Sequence, residues 1–152
     1  MTHRPDKPRS FALTVYGPPR PLLRPRFANG RAYDPIKNKH AKKSIASAAR
    51  AKLFHAQPKT IFTGPLCAQL TFYLPKPKSK IRKNSTPYPY PDCKPDIDNL
   101  EKLIYDALNG IVYKDDGQII DAILKKRWAY DREPCVEIVI TEIRWVISMT
   151  DS

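Results

Sequence analysis

The sequence predicts an α+β fold, a single domain with one mixed β-sheet and two main helices in the order β-α-β-α-β-β. Two observations predict this class. Segments in which apolar and polar residues alternate are separated by two segments with helical spacing, and the last two strand-like segments follow each other directly. A length of 152 residues, with 41% hydrophobic and 28% charged residues, suits one globular domain with its own core.

The first half of the chain is predicted to contain a strand, a basic loop and a cationic helix. Alternation over residues 11–15 predicts a half-buried strand. The proline-rich segment after it cannot form a regular element, and Asn-Gly-Arg at residues 29–31 is typical of a turn. A helix is predicted over residues 35–54, because proline suits the first turn and apolar residues recur there with helical spacing.

The second half is predicted to contain a strand, a long loop, a helix and two closing strands. Residues 66–74 alternate as a strand, and the basic, proline-rich loop of residues 76–94 is long enough to be functional or disordered. Residues 99–109 have the pattern of an amphipathic helix, which Asp98 or Asn99 can cap. The two closing strands are predicted over residues 118–130 and 135–147.

Charge is divided unevenly along a chain whose formal net charge is +12. Residues 1–95 hold 20 Lys and Arg against 3 Asp and Glu, whereas residues 96–152 hold 7 against 12. Basic side chains that neutralise phosphates release counterions and so gain affinity for a polyanion. The basic part of the chain therefore predicts a nucleic-acid partner, although lysine can also serve solubility alone.

Several classes of protein are disfavoured by what the sequence lacks. No run of about 18 apolar residues could span a membrane, and no apolar segment follows the basic N-terminus, so a cytoplasmic protein is expected. Cys67, Cys93 and Cys135 are odd in number and lack a CxxC pair, which argues against a disulfide framework or a zinc site. The histidines are scattered, which gives histidine-based catalysis little support.

Five aspartates lie within residues 94–119, KPDIDNLEKLIYDALNGIVYKDDGQI. Asp96 and Asp98 just precede the predicted helix, and an extended backbone there would point both carboxylates to one side. Asp115 and Asp116 lie in the turn that follows the helix. We therefore expect two carboxylates before the helix and one after it to converge on one point.

Carboxylates that converge repel each other unless a cation lies between them. Ligands that are all oxygens suit Mg²⁺, for which Mn²⁺ can substitute, and such an ion can activate water for phosphodiester hydrolysis. Lys102 follows Asp98 by four residues and shares its helix face, where it could stabilise negative charge on a phosphate. Asp106, a further four residues on, is expected in a supporting role, paired with Lys102 or solvated.

Each of these aspartates also has an ordinary structural explanation. Asp98 can serve as an N-cap alone, and Asp115-Asp116-Gly117 is a composition common in turns. From the residues alone, metal-dependent phosphodiester chemistry and a purely structural role therefore both stay open.

Basic residues are expected to contact phosphates because they cluster in the first loop, the first helix and the proline-rich loop. Phe27, beside Arg26, either stacks on a base or has the ordinary role of packing in the core or a loop. The residues expected to bind DNA are Arg20, Arg24, Arg26, Arg31, Lys42, Lys76, Lys78, Lys80 and Lys94.

The segment around the aspartates resembles the signature of the RusA family of Holliday-junction resolvases, endodeoxyribonucleases common in bacteria and their prophages. The similarity covers PDIDN at residues 95–99, Lys102, DALNG at residues 106–110 and DDGQI at residues 115–119. YGPPRPLLRPRF and NGRAYDP, within residues 16–35, are similar to the family's first strand and basic loop. A single DxD is weak, whereas the motif, the lysine and the paired aspartates together make the resemblance specific.

The resemblance implies a homodimeric, RusA-like nuclease that resolves four-way DNA junctions by paired, Mg²⁺-dependent nicks in DNA recombination and repair. The catalytic residues that it implies are Asp96, Asp98, Asp116 and Lys102, the three aspartates as metal ligands. Asp115 matches less well than its neighbour and is expected to support them. The family domain is expected over residues 11–147, between flexible tails at residues 1–10 and 148–152.

Two other functions stay open on the sequence. A basic nucleic-acid-binding protein without catalysis would use its aspartates as caps and turns. A nuclease with the same metal site could instead cut flaps, replication forks or RNA. Cleavage of a synthetic four-way junction in the presence of Mg²⁺ would separate these functions.

Overall fold

A four-stranded mixed sheet packs against two helices. The computed structural model describes residues 7–56, 61–78 and 89–144, so the predicted C-terminal tail and most of the proline-rich loop lie outside the described residues. The strands are β1 (Ser10–Tyr16), β2 (Arg26–Ala28), β3 (Arg31–Tyr33), β4 (Leu66–Pro75), β5 (Ile119–Ala129) and β6 (Cys135–Glu142), and the helices are α1 (Ile36–Phe54) and α2 (Ile97–Leu108).

The α+β class and the predicted order of the main elements are confirmed. A small hairpin of β2 and β3 is added between β1 and α1, where the sequence indicated only a turn. Asn29 and Gly30 join its strands with φ angles of 51° and 72°. These left-handed values suit a two-residue hairpin turn, and asparagine and glycine adopt them at little steric cost.

The main sheet has the strand order β1-β6-β4-β5. β6 is antiparallel to both β1 and β4, whereas β4 and β5 are parallel, beginning with Leu66 opposite Ile119. Parallel neighbours need a crossover connection, and α2 lies in that connection. The start of β5, and the turn that precedes it, therefore lie at one edge of the sheet.

The core forms where the apolar faces of the sheet and the helices meet. β4 buries alternate residues such as Leu70 and Phe72, as a two-residue period requires. The predicted stripe of α2 is buried in this core: Leu100, Leu103, Ile104, Ala107 and Leu108. Because each such side chain gains about 1.5–3 kcal/mol by burial, the stripe fixes the rotation of α2. The face with Asp98, Lys102 and Asp106 is consequently exposed.

Two predicted boundaries are wrong. α2 begins at Ile97, two residues earlier than predicted, and β6 ends at Glu142 rather than at residue 147. β1 begins at Ser10, and the Arg9 guanidinium before it lies 3.2 Å from a Glu142 carboxylate oxygen. The helix end is as the sequence indicates, since Gly110 follows α2 with a φ of 75°.

The cysteines lie in different parts of the fold. Cys67 is in β4, Cys93 precedes α2 and Cys135 begins β6, and no disulfide joins them. Noncovalent packing of the core therefore holds these elements together. Within the described ranges, no helix has the length and apolar character needed to cross a membrane.

Candidate active site

Asp96 and Asp98 lie at the N-terminal end of α2, in a backbone geometry different from the one predicted. Because α2 begins at Ile97, Asp96 occupies the N-cap position and Asp98 lies inside the first turn. The predicted extended segment through both acids is therefore wrong, and so is the N-cap role predicted for Asp98 or Asn99. Asp96 makes no side-chain capping hydrogen bond, so the Asp96 carboxylate does not stabilise the end of the helix.

Both carboxylates nevertheless line the same open cleft, together with Lys94 and Lys126. The Lys94 ammonium binds the Asp96 carboxylate. Lys126 reaches across from β5 and donates to the carbonyl oxygens of Cys93 at 2.7 Å and Pro95 at 2.9 Å. This lysine, which the sequence did not single out, fixes the segment that leads into the two acids.

Asp115 builds the turn before β5. Its carboxylate accepts a hydrogen bond from the Gly117 N–H at 3.1 Å, and its own N–H donates to the Gln118 side chain at 2.9 Å. The Gln118 amide donates in turn to the backbone carbonyls of Phe62 and Gly64. The turn explanation therefore holds for Asp115.

Asp116 lies among other carboxylates. Partial burial raises the pKa of Asp116, and the neighbouring Asp115 and Asp106 carboxylates raise this pKa further. A cation beside Asp116 would relieve the repulsion among these groups. Asp116 thus has surroundings that favour a positive ion, and the α2 carboxylate that acts on it is Asp106.

The two groups of acids lie toward opposite ends of α2. Asp98 and Asp106 are eight residues apart, which is about 12 Å along a helix axis. Ligand oxygens of one Mg²⁺ ion lie only about 2 Å from it. Accordingly, no three acidic, histidine or cysteine side chains of the described residues are grouped closely enough to hold a metal ion. The convergence expected from the sequence is not present within one chain.

Lys102 and Asp106 follow Asp98 along the exposed face of α2. Asp106 pairs with Lys42 of α1 at 3.7 Å, so the expected pairing with Lys102 is wrong. The Lys42 ammonium also lies 3.2 Å from an Asp34 carboxylate oxygen, so one positive charge is shared by two carboxylates. The Lys102 ammonium is thus left on the open surface between the two groups of acids.

The basic loop between β1 and β2 is fixed to both helices. Asn38 of α1, only 1% exposed, accepts from the Leu23 N–H and donates to the Leu23 carbonyl, both at 2.9 Å. Asn38 also donates to Asp34 at 2.7 Å, and this hydrogen bond is the main cause of the lowered pKa of Asp34. The Leu22 N–H donates to the Asn99 carbonyl of α2 at 2.8 Å. The loop is thereby held beside the acids that begin α2.

The residues predicted to bind DNA differ in how free they are to do so. The exposed ones that take part in no ion pair of the described residues are Arg20, Arg24, Arg26, Arg31 and Lys78. Three others already contact protein groups, since Lys42 and Lys94 bind aspartates and the Lys76 ammonium lies 2.5 Å from the Tyr130 hydroxyl. Lys80 lies outside the described residues. The exposed arginines of the first basic loop and hairpin are therefore the side chains best placed for phosphates.

Replacing Asp116 with asparagine should raise the free energy of unfolding in EDTA at pH 7, as measured by urea denaturation. The raised pKa of Asp116 means that ionisation is less favourable in the folded chain than in the unfolded one. The gain should be below about 1 kcal/mol because the site is open to solvent. It should disappear as the pH falls through the carboxyl range and the wild-type Asp116 becomes protonated.

Asp131→Asn is the matched control, because it removes an exposed carboxylate from the turn between β5 and β6. This variant should leave the free energy of unfolding unchanged. A lower free energy of unfolding for Asp116→Asn than for wild type would contradict the repulsion described for this site.

The fold and the site together define the class of the protein. Acids at the start of a helix, an exposed lysine one turn later and a basic loop fixed beside them, in a chain of net charge +12, suit a protein that acts on nucleic-acid phosphates. The sequence matches the family model of endodeoxyribonuclease RusA over residues 16–141. The chain belongs to the RusA family, which implies Holliday-junction endonuclease activity, and the resemblance seen in the sequence is confirmed.

A relative from Bacillus subtilis (strain 168), "Uncharacterized protein YqaN", is 40% identical over 141 residues. The aligned region covers 86% of this chain and 95% of the relative. The similarity therefore extends over nearly the whole length of both proteins.

Proposed function

We propose that the protein is a Mg²⁺-dependent, structure-selective endodeoxyribonuclease that resolves Holliday junctions by paired nicks. It acts in the cytoplasm, in DNA recombination and repair. The observation that carries this proposal is the pair of carboxylates, Asp96 and Asp98, in an open cleft beside a cationic loop. In a chain of net charge +12, such a pair has a clear role if a divalent cation and a DNA phosphate meet there.

Asp96 and Asp98 suit Mg²⁺, because this ion keeps several waters and is held by one or two carboxylates together with substrate phosphates. A bound Mg²⁺ supplies an activated water and neutralises charge on the phosphate that is cut. Lys102, one helical turn after Asp98, is placed to donate to the same phosphate. Lys94 can leave Asp96 and pair with a neighbouring phosphate instead.

Asp116 joins this site from a second copy of the chain. In its own chain Asp116 lies with Asp106, toward the other end of α2. β5 begins three residues after Asp116 as an edge strand, and near its start Ile120 is 62% exposed and Ile123 is 48% exposed. Exposed isoleucines at a sheet edge favour pairing with another chain. A two-fold dimer formed there would bring Asp116 to the interface and match the two cuts that a four-way junction requires.

A synthetic four-way junction tests the proposed function. Wild-type protein with Mg²⁺ should introduce symmetrical nicks near the branch point, and the same protein in EDTA should introduce none. A fork, a flap, a linear duplex and a single strand of related sequence should be cut much more slowly. Faster cutting of the fork or flap would assign another branched substrate. Binding without nicking would support a non-catalytic nucleic-acid-binding protein.

Neutralising two exposed arginines should reduce the salt dependence of junction binding. Removing one cation that neutralises a phosphate flattens the slope of log affinity against log salt by about one unit, so Arg24→Gln combined with Arg26→Gln should flatten it by about two. Fluorescence anisotropy in EDTA at several salt concentrations measures the slope. Arg50→Gln removes an exposed charge from α1, outside the predicted set, and should leave the slope unchanged. An unchanged slope in the double variant would show that these arginines do not neutralise phosphates and serve solubility instead.

A further inference from the structure

The β2–β3 hairpin stands out because it forms a two-stranded sheet of its own, and every residue in its strands is exposed. Phe27 in β2 is 80% exposed, so the expectation that it packs in the core or a loop is wrong. A single exposed phenylalanine is common on protein surfaces. Its position on a projecting hairpin, and the residues around it, decide what it can bind.

The two faces of the hairpin differ in chemistry. Residues opposite each other in an antiparallel pair share a face. Phe27 is opposite Ala32, so one face presents an aromatic ring beside a methyl group. Arg26, Arg31 and Tyr33 lie on the other face. Aromatic rings that stack on bases, together with cations that hold phosphates, are the combination used by proteins that bind unpaired nucleic acid.

The positive charge of the hairpin is not neutralised by the described residues. Their ion pairs leave Arg26, Arg31 and the preceding Arg24 without an acidic partner. Asp34 follows β3 closely, but its carboxylate is bound by two side chains of α1. The hairpin therefore presents positive charge on one face and an exposed ring on the other, a combination that complements a polyanion carrying flat apolar bases.

The hairpin is also held in a set position relative to the acids. The loop before it is bonded at Leu23 to Asn38 of α1, and at Leu22 to the Asn99 carbonyl of α2. Asn99 directly follows Asp98. A group bound on the hairpin consequently has a defined place with respect to the proposed cleavage site.

We propose that Phe27 stacks on a DNA base at the branch point of the junction, while Arg26 and Arg31 hold the phosphates beside that base. This inference rests on the proposed function and adds the feature by which the protein distinguishes branched DNA from duplex. In a continuous duplex both faces of each base are covered by its neighbours, so a protruding ring finds no free face. Where the arms of a junction part, base faces become accessible, and one stacked base strengthens binding about 5- to 150-fold.

A junction that carries 2-aminopurine next to the branch point tests this inference in EDTA, without cleavage. Binding of wild-type protein should change the fluorescence of the probe. Phe27→Ala should remove that change and weaken junction binding by about 5- to 150-fold, whereas Phe27→Trp should retain both. Phe54→Ala removes a phenylalanine of similar exposure, 69%, from the end of α1, and it should behave as wild type.

Linear duplex of the same sequence separates stacking from general affinity. Phe27→Ala should bind this duplex as well as wild type does. An equal loss of affinity for duplex and junction, or an unaltered probe signal in Phe27→Ala, would overturn the inference. Because these measurements need no nicking, their failure is distinct from failure of the proposed nuclease, which shows only in the Mg²⁺ cleavage assay.

Discussion

Replacing Asp98 with asparagine should lower the rate of junction cleavage by on the order of a hundred- to a thousandfold, with junction affinity nearly unchanged. Asparagine keeps the size of the side chain but removes the negative charge that a hard divalent cation prefers in its oxygen ligands. Single-turnover cleavage in Mg²⁺ at saturating protein measures this effect, because binding then does not limit the rate.

Asp131→Asn again provides a matched control, since it removes one exposed carboxylate from the turn before β6. This variant should cleave at the wild-type rate. Anisotropy in EDTA compares the junction affinities of both variants with that of wild type. Wild-type cleavage by Asp98→Asn would show that the acids at the start of α2 are not the catalytic site.

An equimolar mixture of Asp98→Asn and Asp116→Asn protein should recover nicking that neither variant has alone. If each site takes Asp98 from one protomer and Asp116 from the other, a mixed dimer contains one intact site and one site with both defects. After random exchange of protomers about half of the dimers are mixed, so about a quarter of all sites should be active. Each mixed dimer should nick a junction once without resolving it.

The same mixture distinguishes a shared site from a site built within one chain. In the second case every protomer keeps its defect, and mixing restores no activity. Ile120→Asp, introduced into both variants, places a charge on the exposed part of β5. If this strand forms the interface, that substitution should prevent recovery, and light scattering should then find monomers.

The fold could be predicted because the patterns that define it are local. The two-residue period of β4 and the apolar stripe of α2 are the same residues that the structure buries. The start of α2 could not be chosen from composition, because Asp96, Asp98 and Asn99 are all favoured N-cap types. The parallel pairing of β4 with β5 depends on where the α2 crossover lies, so the sequence predicted only a mixed sheet.

The positions of the predicted acids relative to one another could not be derived from the sequence. The Tyr113 hydroxyl donates to the Tyr105 carbonyl at 2.9 Å, which folds the turn after α2 against the helix. This packing places Asp116 close enough to Asp106 for the two carboxylates to repel each other. No local sequence pattern predicts that proximity. Lys126 was missed because a lysine in a strand resembles ordinary surface charge, while the carbonyls that it binds are 33 and 31 residues away in the sequence.

The division of the acids between the two ends of α2 has a consequence for the amount of protein in the cell. If each site is shared between two protomers, a monomer holds only part of the catalytic set, and below the dimer dissociation constant the cleavage rate should rise with the square of the protein concentration. Scarce copies scattered over intact chromosomes would then be harmless. The cellular concentration of the protein would then set a threshold for DNA cleavage. Cleavage would begin only where two protomers assemble on one branched DNA structure.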